Sequence, residues 1–408
     1  MKLSVFPVLA MLVTSGGFVA CGGSTAGDNN GGNPGGGSAD AGNGNPGPQP
    51  GEDAGSTPVV DAGPPPDHGK PSSTYPAFKP EVGQLTNNGG DVLTHPVIVS
   101  ITWPGDPGVA TLEDFGDKIG ATDYWKQNTS EYGVGTASSG AANHVHVATA
   151  APASMSDQEL DTFVATNAGA PATSHWPAPT DQTIYIIYLH PSTSLQLGGQ
   201  DACAQGVGGY HSSTTVNGAE VAYAIVPRCT RGQTPPVDET TMSASHELGE
   251  AATDPHPGPK SGWVGFDDNH LAFEYFQQFQ SENGDACEFY REAFYKEQAP
   301  FAFAVQRQWS NASAAAGHHP CVPVPAGAYF NTTPLNLEDI TIDLSATPLQ
   351  GAANAKTKGY HVKVGETKTF PIGFYSDADT GGPWTIRAAE SNPVLGAPKT
   401  SRLKVSVD

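Results

Sequence analysis

Residues 240–255 (TTMSASHELGEAATDP) constrain the fold of this chain more than any other stretch, because they combine helical periodicity with the spacing of metal ligands. At about 100° and 1.5 Å per residue, His246 and Glu250 lie one turn apart on the same face of a helix. Pro255 cannot continue a helix, so the helix should end just before it. The sequence therefore predicts a helix that presents an imidazole and a carboxylate to one point.

The five residues 246–250 (HELGE) match the HExxH motif of zinc peptidases, except that a glutamate replaces the second histidine. Zinc accepts carboxylate oxygen, so the replacement is chemically allowed. In that motif two residues hold the metal and the intervening glutamate is the general base for a water molecule. We therefore expect zinc on His246 and Glu250, with Glu247 as the base.

The alternative is an ordinary, partly buried helix, with Met242, Leu248 and Ala251 toward the core and the acidic side chains toward water. The neighbouring residues favour a metal site, since small side chains let other backbone segments approach closely. Asp254 lies eight residues beyond His246, which is about 12 Å along a helix axis. We therefore expect Asp254 to cap the helix or support the ligands, and not to share the metal with His246.

The N-terminus is typical of a bacterial export signal. A basic Lys2 precedes an apolar run over 3–13, and Phe18-Val19-Ala20-Cys21 resembles a lipobox. We predict a lipoprotein signal peptide over 1–21 and a lipidated Cys21 that is the only membrane attachment. The alternative is a plain signal peptide with a coincidental cysteine, and both readings predict export to the cell envelope, with the chain surface-exposed or secreted.

Composition predicts a disordered linker over residues 22–75, which consist mainly of Gly, Pro, Asn, Asp, Ala and Ser. Such a stretch cannot bury enough apolar surface to offset its ordering entropy.

Over the whole chain, 19 basic residues against 41 acidic ones give a net charge of −22. This balance argues against nucleic acid and anionic lipid as partners, because both need a positive surface.

The remaining cysteines, at positions 203, 229, 287 and 321, are even in number in a chain predicted to be exported. Disulfides are therefore expected, and three pairings are possible. Our hypothesis pairs Cys203 with Cys229 and Cys287 with Cys321, so that each bridge closes a compact segment beside the HELGE helix. A cysteine zinc site is disfavoured because the chain has no CxxC pair.

Apolar patterning predicts an α+β central domain over 76–327, with a mixed sheet and a zincin-like active-site helix. Strands are expected at 95–103, 183–189, 221–227 and 301–309, and helices at 111–124, 157–166 and 268–280. Residues 328–408 contain short β-type runs separated by turn residues, at 340–344, 360–364, 367–372, 384–388 and 403–407. They predict a small C-terminal antiparallel β-sandwich.

An ordered set of short segments between about 90 and 325 resembles the phosphate-induced, EXORDIUM-like extracellular proteins and their bacterial HExxE relatives. The matching segments are 101–103 (ITW), 209–212 (GYHS), the strand before Cys229, 246–250 (HELGE), 254–255 (DP), 262–263 (GW), 282–287 (ENGDAC) and 305–309 (VQRQW). The resemblance implies a secreted, disulfide-bonded domain with an HExxE metal site, and it implies no established reaction.

A catalytic zinc ion needs three protein ligands and one open position. For the third ligand we rank Asp285 and Glu282, which follow the helix, above His211, which precedes it. Alternatively Asp285 caps the turn at Gly284, Glu282 is solvated, and His211 bonds within its own loop. Tyr210 or His211 could instead stabilise the oxyanion that forms when water attacks a carbonyl.

The sequence therefore predicts a surface-tethered, zinc metallopeptidase-like hydrolase that acts on peptide or another extracellular polymer. The alternative is a non-catalytic cell-surface or carbohydrate-binding module in which the HELGE helix holds a structural cation. The fold alone does not separate these two functions.

Overall fold

The computed structural model describes residues 74–76, 81–230, 234–258, 260–271, 281–288, 290, 292–342, 354–363, 365–383 and 385–386. The export signal with Cys21, nearly all of the 22–75 linker and the strands expected at 384–388 and 403–407 fall wholly or mostly outside these residues.

Eight α-helices lie wholly within the described residues, together with 3₁₀ turns at Ser130–Tyr132, Ala141–Asn143 and Asp268–His270. The helix expected at 268–280 lies mostly outside the described residues. The helices are α1 Val109–Ile119, α2 Asp123–Thr129, α3 Asp157–Gly169, α4 Pro171–Ser174, α5 Ala202–Gln205, α6 Pro236–Thr253, α7 Asp285–Glu288 and α8 Asn311–Ala315.

The strands of the same residues are short, and the longest has eight residues. They are β1 Leu85–Asn87, β2 Val97–Thr102, β3 His144–His146, β4 Ser154–Ser156, β5 Thr183–Tyr188, β6 Ser194–Leu197, β7 Gln200–Asp201, β8 Tyr210–Val216, β9 Ala219–Val226, β10 Trp263–Phe266, β11 Phe294–Lys296, β12 Ala304–Gln306, β13 Gln308–Trp309, β14 Cys321–Val322, β15 Phe330–Pro334, β16 Glu338–Ile342, β17 Ala355–Gly359 and β18 Ile372–Ser376.

A five-stranded mixed sheet in the order β3-β2-β5-β9-β8 forms the centre of the molecule. The first four strands are parallel, and β8 is antiparallel to β9 at one edge. The turn between β8 and β9 is Asn217-Gly218, both with positive φ. Such a two-residue turn matches the twist of a hairpin and sets its register.

Helices cover both faces of this sheet. Leu160 and Val164 of α3 pack on one face, where alternate strand residues such as Tyr185 and Tyr223 point. On the other face, Phe115 of α1 and Leu248 of α6 join the remaining strand residues. The core is thus a three-layer arrangement of helix, mixed sheet and helix.

Helix α6 is deeply enclosed, since every residue from Glu239 to Thr253 is buried. It packs against β5, β8 and β9 on the sheet side, and against α1, α2 and β12 elsewhere. It ends as the sequence predicts: Asp254 is the C-cap residue, immediately before Pro255. Small residues permit this enclosure; a Cβ atom on Gly249, for example, would collide with the Gln308 side chain.

The sequence located the main core elements. The strands expected at 95–103, 183–189 and 221–227 are confirmed as β2, β5 and β9, and the helix expected at 157–166 is confirmed as α3. The helix expected at 111–124 is two helices, because α1 ends at Ile119 and Thr122 caps α2 through its side chain. The central sheet is mixed, as expected.

Three predicted strands need correction. The one expected at 301–309 is divided, because β12 pairs with β11 and β13 pairs with β14, with Arg307 between them. The strands expected at 360–364 and 367–372 lie elsewhere, since β17 ends at Gly359 and β18 begins at Ile372. Strand β17 has a polar sequence (AKTKG), so a search for apolar patterns does not find it.

The C-terminal region, predicted as residues 328–408, contains two antiparallel pairs, β15 with β18 and β16 with β17. A closed sandwich and the domain boundaries stay predictions.

Both predicted disulfides are present, Cys203–Cys229 and Cys287–Cys321, as is typical of proteins from oxidising compartments. No helix among the described residues is long and apolar enough to cross a membrane.

Candidate metal centre

Helix α6 carries its three motif residues into the interior of the protein. His246 and Glu250 are fully buried and Glu247 is 1% exposed. The alternative in which the acidic residues of this helix face water is therefore wrong. Burying a carboxylate is costly unless hydrogen bonds or an opposite charge compensate it, so the surroundings of these side chains decide their chemistry.

The His246 ring is fixed by contacts at both nitrogens. Its Nδ1 donates a hydrogen bond to Gln306 Oε1 at 3.0 Å, and the Gln306 amide in turn donates to the Gly284 carbonyl at 2.8 Å. Nε2 then carries the lone pair, and it lies 2.9 Å from Glu250 Oε1 and 3.5 Å from Asp285 Oδ1. This is the orientation in which a histidine binds a metal through Nε2.

Asp285 reaches the site because the segment that carries it is held on three sides. Its backbone N–H donates to Glu250 Oε1 at 3.0 Å, and its Oδ2 accepts from the Glu282 N–H at 3.3 Å. Two residues further along α7, Cys287 is tied to Cys321 of β14. The disulfide therefore anchors the short helix that positions Asp285.

His211 approaches the same cluster from the edge strand β8. Its Nδ1 lies 3.6 Å from Glu250 Oε2 and 3.8 Å from Glu247 Oε2. Its Nε2 donates to the Asp254 carbonyl at 3.2 Å and lies 3.4 Å from Glu282 Oε2. The C-cap of α6 thus orients this imidazole toward the two glutamates of the same helix.

The cluster contains two groups whose ligand atoms all lie within 4.8 Å of one another. They are His246, Glu250 and Asp285, and His211, Glu247 and Glu250. Glu250 belongs to both groups. Of the three candidates for the third ligand beside His246, Asp285 has the required geometry in the described residues, and Glu282 and His211 do not.

Two neighbouring carboxyls of the cluster, those of Glu250 and Asp285, have different pKa values. Burial raises the pKa of the Glu250 carboxyl, but when the adjacent His246 and His211 rings are protonated, their positive charge and hydrogen bonds outweigh burial and bring it down to about 2. Burial, and then the negative charge of Glu250, raise the pKa of Asp285 to about 6. A cation at this point would stabilise both carboxylates in their charged form.

Two glycines leave space for the cluster. A Cβ atom on Gly284 would lie 2.7 Å from Glu250 Oε1 and 2.9 Å from the His246 ring. A Cβ atom on Gly209 would lie 2.7 Å from Glu247 Oε1. Because real side chains do not approach so closely, any larger residue at either position would displace a proposed functional group.

The structure does not bring Tyr210 to the cluster. Successive strand residues face opposite sides of a sheet, and Tyr210 packs with Tyr223 and the α3 side of the core, whereas His211 faces α6. The structure therefore places Tyr210 apart from the cluster at which it was expected to stabilise an oxyanion. Glu282 is buried beside His211 Nε2, which makes it a neighbour of a ligand candidate and not part of either ligand group.

Sequence reasoning missed Gln306, whose side chain orients His246, and Gln308, which donates to the Ser245 carbonyl at 2.9 Å. Nothing in the local pattern marks these residues apart from their place in VQRQW.

Sequence reasoning also missed strand β8, for which the sequence does contain a signal. Asn217-Gly218, followed at once by an apolar run, is the strongest short-range indication of a β-hairpin.

The site opens toward solvent only slightly. The Asp285 side chain is 14% exposed, whereas those of His246 and Glu250 are essentially inaccessible. Asp285 therefore marks the side nearest to solvent.

No protein-family model, no curated protein and no solved structure matches the chain significantly.

Proposed function

We propose that this chain is an exported, surface-tethered, zinc-dependent hydrolase that acts on peptide or another extracellular polymer. His246, Glu250 and Asp285 hold the metal, and Glu247 is the general base. The proposal joins the export signal predicted from the sequence, the zincin-like arrangement of helix α6 beside a mixed sheet, and the chemistry of the buried cluster.

One observation carries the proposal, namely the charge buried around Glu250. The carboxylates of Glu247, Glu250, Glu282 and Asp285 converge on His211 and His246, and all but Asp285 are at most 2% exposed. Two of these carboxylates, Glu250 and Asp285, both lie against His246 Nε2, and holding two carboxylates together in a buried environment costs several kcal/mol unless positive charge compensates them. A bound divalent cation supplies that compensation, and the mixture of imidazole and carboxylate ligands suits zinc.

The residues around the metal position have distinct tasks. Zinc bound there would act as a Lewis acid and lower the pKa of a water molecule to about 7. Glu247 would be the general base, whose carboxylate takes up a proton and returns it to the leaving group. His211 would stabilise negative charge on the attacked carbonyl when a proton occupies its Nδ1, the nitrogen that faces Glu247 and Glu250.

Metal analysis of the purified full chain, combined with hydrolysis of a broad peptide library, tests this proposal. We expect about one tightly bound zinc ion per chain, and cleavage that stops after a chelator removes the metal and resumes when zinc is restored. A chain that binds no divalent ion would remove the basis of the mechanism. A chain that binds zinc and hydrolyses neither peptides nor polysaccharides would support the second function below.

The second candidate is a non-catalytic cell-surface or carbohydrate-binding module with a structural cation. The low exposure of His246 and Glu250 favours it, because a structural site is closed whereas a catalytic site keeps an open position. In that case the cation would fasten the segment of α7 to helix α6, and the stability of the fold would depend on it.

A further inference from the structure

The two oxygens of the Glu250 carboxylate face different partners. Oε1 lies 2.9 Å from His246 Nε2 and accepts the Asp285 N–H at 3.0 Å. Oε2 lies 3.6 Å from His211 Nδ1, on the side where Glu247 Oε2 is also 3.8 Å from that nitrogen. One carboxylate therefore takes part in two separate sets of ligand atoms.

We propose that a second divalent cation binds between His211, Glu247 and Glu250, so that Glu250 bridges two metal ions. The inference rests on the proposed function in one respect, since the first ion is the zinc on His246, Glu250 and Asp285. In enzymes with two metal ions the ions are about 3.5–4 Å apart, a separation that one bridging carboxylate spans.

The His211 ring is oriented as a ligand for this second position. Its Nε2 donates to the Asp254 carbonyl, so the neutral ring carries its lone pair on Nδ1, toward Glu247 and Glu250. Buried Glu282 lies 3.4 Å from the same Nε2. A metal-binding histidine characteristically has such a carbonyl or carboxylate partner at its other nitrogen, because the partner fixes the tautomer and strengthens the ligand.

The Oε2 atom of Glu250 provides further evidence for the second position. Oε2 is buried and accepts no hydrogen bond from the described residues, and 3.6 Å is too long for one from His211. Most buried polar atoms of native proteins have a partner, and exceptions occur where an ion or ligand belongs. This oxygen points to the position that we assign to the second ion.

Occupation of the second position has a consequence for the reaction. The second ion binds the Glu247 carboxylate, which the proposed mechanism needs as a base. Zinc beyond the first equivalent should therefore inhibit the enzyme, by about the 10² to 10⁴-fold that loss of a general base costs. The protein would therefore be more active with one ion bound than with two.

A zinc titration of the metal-stripped full chain by calorimetry tests the inference. We expect two equivalents for the wild type, and one equivalent for Glu247→Gln and for His211→Gln, with circular dichroism to check that each variant is folded. One equivalent in the wild type would overturn the second position and leave the proposed function intact. No bound zinc in the wild type would overturn both.

The matched control is the double variant His144→Asn, His146→Asn. His144 and His146 contact Glu113 and Asp117, so they form a separate histidine–carboxylate cluster to which zinc could bind. We expect the control to keep two equivalents. Loss of the second equivalent in the control would place the ion at the surface and overturn the inference.

A spectroscopic measurement keeps the inference testable if the buried variants do not fold. In the wild type loaded with two equivalents of Co²⁺, ions that share the Glu250 carboxylate should be magnetically coupled. Two equivalents of Co²⁺ that behave as independent ions would contradict the bridge.

Discussion

Neighbouring glutamates on one helix have different surroundings, and this difference is the basis for assigning them different tasks. Glu250 contacts both histidines, and these lower the pKa of its carboxyl to about 2 in spite of burial. Glu247 contacts His211 and lies against Gly209. Glu250, which stays ionised beside His246, is suited to hold a metal. Glu247 is suited to move a proton.

The first prediction separates these two tasks by substitution. Glu247→Gln preserves the shape of the side chain, so the ion on His246 should remain bound while turnover falls by about 10² to 10⁴-fold. Glu250→Ala removes a ligand, so metal and activity should be lost together. Zinc content and hydrolysis rate, measured on both variants, check this. Equal zinc content and equal turnover in wild type and both variants would contradict the assignment.

The second prediction concerns Gly284, against which Glu250 and His246 pack. In Gly284→Ala the added methyl group would push into both ligands, so zinc affinity should fall at least tenfold, as is usual when the surroundings of a ligand are disturbed. Gly382→Ala is the matched control, because nothing lies within 4 Å of a Cβ atom there. Competition with a chromophoric chelator measures both affinities, and equal values would argue against the site.

At the scale of elements, the site depends on segments that are distant in the chain. Helix α6 supplies His246, Glu247 and Glu250, whereas β8 supplies His211 and α7 supplies Asp285. The Asn217-Gly218 turn sets the register of β8 against β9, and that register directs His211 toward α6. Each disulfide joins a segment near one of these elements.

The third prediction compares the two disulfides. Each closes a loop with a sequence separation of 26 or 34, so removing either should lower the free energy of unfolding by about 3 to 4 kcal/mol. Only the pair Cys287 and Cys321 anchors α7, so replacing both by Ala should also weaken zinc binding through Asp285. Replacing Cys203 and Cys229 by Ala is the control. Chemical denaturation and zinc titration measure the two effects, and equal zinc affinities would contradict the anchoring role.

At the scale of the whole molecule, the sequence predicts a folded body on a long polar tether. The net charge of −22 should keep that body soluble and away from anionic lipid headgroups. We predict that attachment to a membrane comes from acyl chains on Cys21. The two disulfides agree with an oxidising location outside the cytoplasm.

The fourth prediction tests that attachment. Wild type should sediment with the membrane fraction through lipid on Cys21, and Cys21→Ser should be released into the soluble fraction. Mass spectrometry of the N-terminal peptide identifies the acyl chains. Recovery of wild type as a wholly soluble protein with an unmodified N-terminus would refute the anchor.

The sequence by itself determined whatever depends on near neighbours in the chain. The spacing of His246 and Glu250 puts both on one helix face wherever the helix packs. Apolar runs such as 183–188 become buried strands because a central sheet is covered on both faces. The pairing of the four cysteines also agrees with the hypothesis made from their positions.

Only the tertiary structure decided which distant residues complete the site. Asp285 and Glu282 are three residues apart, yet the N-terminus of α7 directs one to His246 and the other to the far side of His211. Likewise Tyr210 and His211 are adjacent, but strand alternation sends them to opposite faces of the sheet. These choices depend on register and packing between segments far apart in the chain, and no local pattern records them.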